Sequence, residues 1–143
     1  MPGMVISPVR QHHMVLPEIS PDAMEPVREI VRILLRMWCK SDLSFVAELG
    51  VTELLTNVWK HTPGDCELLI REMPGGVLVG VTDFDDALPA VKEPTGDAEC
   101  GRGLFLLAAL TEELQTQPLL TGKQVWFRLG RTLADGGEGA DHC

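Results

Sequence analysis

Apolar residues follow two different periods along this chain, and the switches between them predict its elements. Val27, Ile30, Val31, Leu34, Leu35 and Trp38 recur at i, i+3, i+4, i+7, i+8 and i+11, the stripe of an amphipathic helix over 23–40. Arg28, Glu29, Arg32 and Arg36 take its wet side. Ser20-Pro21-Asp22 supplies the start, and Ser41-Asp42 the start of a second helix running to His61. Pro63 and Gly64 stop that helix. Period two then takes over: 66–73 and 77–84 read as strands around the turn Pro74-Gly75-Gly76, an antiparallel hairpin. A short edge strand is expected at 12–16, another at 114–117, and a last one at 124–129 after the turn Thr121-Gly122-Lys123. Between them, 87–100 has no steady period and contains proline, glycine and acids, as a surface loop does. Gly101-Arg102-Gly103 opens an apolar helix over 104–110.

The second helix breaks its own pattern. Val46, Leu49, Leu54 and Val58 lie on or beside one stripe, and Glu53 and Asn57 fall within it, four residues apart and so one above the other. Lys60 and His61 follow one turn on. A buried polar group without a partner costs about 1–3 kcal/mol, so a carboxylate and an amide on a sheltered wall call for something to satisfy them. An amide oxygen suits Mg²⁺, which takes octahedral oxygen ligands and completes its shell with waters and phosphates. Glu53 then stands where it orients or deprotonates an attacking hydroxyl. The plainer alternative is a polar pair on a half-exposed helix face.

Other polar positions carry weaker signals. Asp83 closes the second strand of the hairpin, where a carboxylate beside a polar helix face accepts a hydrogen bond from an exocyclic amine, as a pocket for adenine requires; Asp85 and Asp86 read as an acidic turn. Glycines before a helix allow close backbone approach, and free amides with the helix dipole attract anions, although Gly-x-Gly alone is mostly a turn. His12 and His13, adjacent on a strand, point to opposite faces and do not chelate one ion. Gly122-Lys123 lacks the glycine spacing of a Walker loop.

Composition narrows the classes. The 143 residues, 45% hydrophobic and 23% charged, suit one globular domain over 12–130, with a loose arm at 1–11 and a disordered acidic tail at 131–143. A net charge of −9 disfavours direct nucleic-acid binding or an anionic membrane surface. No apolar run reaches the ~18 residues of a membrane span and no leader is evident, so a cytoplasmic protein is expected. Cys39, Cys66, Cys100 and Cys143 are scattered, which fits reduced, unpaired thiols better than zinc or a disulfide frame.

Three segments now stand in a telling order: Glu53-Leu-Leu-Thr-Asn57-Val-Trp-Lys-His61, Val-Thr-Asp83 at a strand end, and Gly101-Arg-Gly103-Leu104 before a helix, followed by Gly-Lys-Gln-Val-Trp-Phe. Together they resemble a GHKL (Bergerat-type) ATP-binding domain, more narrowly the anti-sigma-factor serine kinases and their stand-alone relatives, over about residues 12 to 130. The resemblance implies an α/β (α+β) two-layer sandwich, with a mixed, mainly antiparallel sheet and helices on one face. It implies ATP and Mg²⁺ as cofactors, Asn57 on the metal, Glu53 as catalytic base and Asp83 on the adenine amine. Gly101, Arg102 and Gly103 would line the phosphates, Lys60, His61 and Leu104 would complete the nucleotide-binding set, and 87–100 would be the lid. The implied partners are a sigma factor, a STAS-domain anti-anti-sigma protein phosphorylated on serine, and a second copy in a homodimer.

Two departures bear on this. Asp85 and Ala87 stand where the fuller pattern, Asp-x-Gly-x-Gly, has glycines, and Gln124 stands for a threonine common in the last strand. A non-catalytic partner-switching module therefore remains the alternative to a kinase. A histidine-kinase catalytic domain is less expected, since no phosphoacceptor helix precedes the fold.

Overall fold

The amphipathic stripe forms as its spacing dictates. The computed structural model describes residues 10–61, 64–84 and 98–130, with side chains from Gly103 onward in the last stretch. Helix α1 (Met24–Met37) buries Val27, Val31 and Leu35 on one side. It is entered through a 3₁₀ turn (Pro21–Ala23) in which the Ala23 amide donates to the Ser20 carbonyl at 3.0 Å. Ser20 makes no side-chain cap, because the tighter turn takes up the first amide with backbone. Cys39 then adopts the left-handed conformation (φ 59°), and the Lys40 amide reaches back to the Leu35 carbonyl at 2.7 Å. That closure satisfies the helix end and explains why α1 stops before residue 40.

A second 3₁₀ turn, Ser41–Leu43, leads into α2 (Ser44–His61), which buries Ala47, Gly50, Val51, Leu54, Leu55 and Val58. The two helices are tied on their outer side. Arg32 binds Glu48 at 2.8 Å, and Arg28 donates to Thr52 Oγ1 at 3.1 Å. The Arg32 hydrogen bond holds the Glu48 carboxyl below the usual carboxylate range. At the far end of α1, Lys40 Nζ meets Glu72 Oε2 at 2.7 Å, anchoring the helix to the sheet.

Strands β1 (Gln11–Leu16), β2 (Cys66–Met73), β3 (Gly76–Asp83), β4 (Glu113–Pro118) and β5 (Lys123–Gly130) form one sheet in the order β1-β2-β3-β5-β4. Every pairing is antiparallel, so the expected mixed sheet is wholly antiparallel among the described residues. Strand alternation sends Leu68 and Ile70, Val77, Val79 and Val81, and Phe127 and Leu129 to one face, where they meet α1, α2 and Leu107 of α3 (Ala98–Leu110) in a single core. This is the α+β two-layer arrangement. No helix among the described residues is long and apolar enough to cross a membrane.

One sequence expectation is overturned here. Cys66 is a free, buried thiol, but Cys39 is disulfide-bonded. Spacing along the chain did not exclude the bond, since pairing depends on which distant positions the fold brings together.

Gly50 is the point of closest packing between α2 and the rest of the core. A Cβ there would lie 2.3 Å from Phe127 Cζ and 3.1 Å from Leu107 Cδ1, and Phe127 is fully buried. Alanine gains up to ~1 kcal/mol of helix propensity, while overpacking costs about 1–3 kcal/mol. Gly50→Ala is therefore expected to lower the urea midpoint; a raised midpoint would show that the Phe127 ring yields freely.

Candidate functional site at the end of the two layers

Chain connectivity gathers the polar candidates at one end of the fold. Only residues 62–65 separate the end of α2 from Cys66. Cys66 pairs across the sheet with Asp83, and Asp83 with Lys123. The last turns of α2, the end of β3 and the start of β5 thus share one end. Helix α3 runs antiparallel to α2: Gly103 lies against Glu53, and Leu107 lies a turn back, against Gly50. Its N-terminus therefore points to the same end.

Glu53 and Asn57 are half-buried on α2. The contact with α3 is close: a Cβ on Gly103 would fall 1.8 Å from Glu53 Oε1 and 2.6 Å from its Cδ. Only glycine lets the α3 backbone lie on that carboxylate. Asp83 is buried at 2% exposure, and Lys123 Nζ stands 2.8 Å from its Oδ2. Burial, with the Asp83 charge adding to it, pushes the neighbouring Cys66 thiol up to about 11, which makes that thiol inert at neutral pH.

Several expectations change. Gly101, Arg102 and Gly103 lie within α3, which begins at Ala98, and not in a turn ahead of it. Ala98 and Glu99 are helix-compatible, and the price of two helical glycines is offset by the approach to Glu53 at the second. With α3 starting at Ala98, the amides of Gly101, Arg102 and Gly103 all lie beyond those of the first turn, which lack intrahelical acceptors. Leu104 is half-buried against the core. Lys60 and His61 are exposed at the end of α2, each with an interaction of its own. The Arg102 side chain, the Asp85 and Ala87 positions and most of the expected lid fall outside the described residues.

Gln124, in place of the threonine, points away from Asp83. Its amide donates to Thr82 Oγ1 at 3.2 Å on the opposite face of the sheet, because adjacent strand residues point to opposite sides. The residue facing Asp83 is Lys123, which sequence reasoning passed over. The signal was a pair of opposite charges at facing positions, and it becomes visible only once the β3–β5 register is known.

Chemically the end of the fold offers hard oxygen donors on α2, a buried carboxylate with an ammonium beside it, and the amide-rich start of α3. Among the described residues no cluster of three or more His, Cys, Asp or Glu could hold a metal. The amide oxygen of Asn57 is instead a donor of the kind that suits a Mg²⁺ completing its shell with water and ligand phosphates. Compared with known families, residues 18–129 match the model of the histidine kinase-like ATPase domain. No curated protein matches the chain.

The Gly103–Glu53 apposition is testable through coupling. Gly103→Ala alone is expected to destabilise, because the new methyl displaces the carboxylate. In a Glu53→Ala background the same change should be neutral or stabilising, by up to ~1 kcal/mol of helix propensity. Additive effects in denaturant titrations of the four proteins would show that the two residues do not meet.

Proposed function

The chain belongs to the histidine kinase-like ATPase domain family, and on that premise we propose that it is an ATP-binding anti-sigma regulatory protein and a protein serine kinase. ATPase domains of this kind bind ATP, usually with Mg²⁺. The observation that carries the proposal is the half-buried Glu53 carboxylate held under the α3 backbone at Gly103, at the same end of the fold as buried Asp83.

In this proposal Asp83 accepts a hydrogen bond from the adenine amine, Asn57 gives its amide oxygen to Mg²⁺, and the first amides of α3 face the phosphates. When bound, Mg–ATP supplies the γ-phosphoryl group and the charge neutralisation on it. Glu53 takes the proton from a seryl hydroxyl of the partner as that oxygen bonds to the γ-phosphorus and the bridging oxygen departs with ADP. Phosphoryl transfer asks little else of a protein than positioning and electrostatics, and a single base beside a metal-binding amide meets that need. Lys60 and His61, exposed at the end of the same helix, would complete the nucleotide-binding set.

The proposed partners are a sigma factor, sequestered by the protein, and a STAS-domain anti-anti-sigma protein, the phosphoacceptor, in a cytoplasmic switch built on a homodimer. Support comes from the order of the sequence segments and from Phe105, Leu106 and Leu110, large apolar side chains exposed on α3.

Mg–ATP at about 100 times its dissociation constant is expected to stabilise the fold by ~2.7 kcal/mol, read as a raised melting temperature. Labelled γ-phosphate is expected to reach serine on a STAS-domain partner, and Glu53→Ala to abolish transfer while keeping the thermal shift. A shift without transfer in the native protein would point instead to the non-catalytic partner-switching module; no shift at millimolar nucleotide would overturn both.

A further inference from the structure

The ion pair at the end of the sheet joins a buried carboxylate to a partly open ammonium. Asp83 and Lys123 face each other across β3 and β5, with side chains 3% and 23% exposed, so the carboxylate is buried and the ammonium lies partly open beside it. The turn before Lys123 is pressed onto the same spot. Gly122 has φ +91°, and a Cβ there would fall 1.9 Å from the Asp83 carbonyl oxygen and 2.7 Å from Phe84 Cα. The Leu119 amide closes the turn on the Gly122 carbonyl at 3.0 Å. Lys123 is thus held in place by backbone contact as well as by charge.

An ammonium carries three donors and no acceptor, whereas a carboxylate only accepts. With Nζ and Oδ2 2.8 Å apart, a donor and an acceptor stand side by side. The edge of adenine is the complement: the exocyclic amine donates and the adjacent ring nitrogen, N1, accepts. An uncharged hydroxyl or an ordered water could serve N1 only weakly by comparison, because hydrogen bonds from an ionised donor are roughly twice as strong as neutral ones.

We propose that Lys123 is a base-specificity residue of the nucleotide site, donating from Nζ to adenine N1 while Asp83 accepts from the amine. The inference rests on the ATP-binding function proposed above and deepens it. The ion pair preorganises both groups for the base, and binding adds contacts without breaking the pair.

The test compares Mg–ATP with Mg–1-deaza-ATP, in which N1 is a C–H, by calorimetry on the full chain. The native protein is expected to bind ATP about tenfold or more tightly than the analogue, the range for a charge-assisted hydrogen bond. Lys123→Met is expected to bring the ratio of the two dissociation constants close to one, mainly by weakening ATP. Should that variant fail to fold, Lys123→Gln, which keeps an amide beside Asp83 but no charge, is expected to lower the ratio below the native value. Equal affinity of the native protein for both nucleotides overturns the inference alone. So does a variant that weakens both in parallel and preserves the ratio, which is what a merely structural role would give. Absence of binding by either nucleotide overturns ATP binding and this inference with it.

Discussion

The position of α3 on α2 depends on two missing side chains. At Gly50 the Phe127 ring and Leu107 fill the space a methyl would need, and at Gly103 the Glu53 carboxylate does so. Interiors pack too densely to absorb such intrusions without displacement. These contacts fix both the distance and the direction of the third helix. Because Gly103 meets Glu53 while Leu107 meets Gly50, the start of α3 lies toward the end of α2 and toward Asp83. The whole polar end of the molecule follows from that antiparallel placement.

Charge is then handled locally. A chain with net charge −9 has no general attraction for an anionic ligand, so any phosphate must be held by short-range groups. In the proposed function helix amides and a metal on Asn57 would supply this. Lys123 is drawn inward to Asp83, and the surface arginines Arg28 and Arg32 are spent on Glu25, Thr52 and Glu48 between α1 and α2. These three cations are thus committed to specific partners. This favours recognition by fitted contacts over diffuse electrostatic steering.

Much of the fold was legible in the sequence where one period ran without interruption. The α1 stripe, the end of α2 at His61 and the bounds of β2 at Cys66–Met73 follow from spacing and turn residues. The Glu53 and Asn57 interruption is visible without coordinates, and both residues are half-buried in the fold. The start of α3 was not legible: glycines read as a turn when a neighbour demanding them, here Glu53, is unknown. Lys123 was missed because a facing pair belongs to a register, and a register belongs to two strands. The Cys39 bond likewise depends on the tertiary arrangement.

Backbone amide NMR of the full chain titrated with Mg–ATP tests the central claim most directly. Perturbations concentrated at Glu53–His61, Asp83, Gly122–Lys123 and the first turns of α3 are expected, with the outer edge of α1 and the Thr82–Gln124 face of the sheet little changed. Saturable binding whose perturbations instead cluster on α1 or on that outer face would contradict a nucleotide site at the end of the two layers.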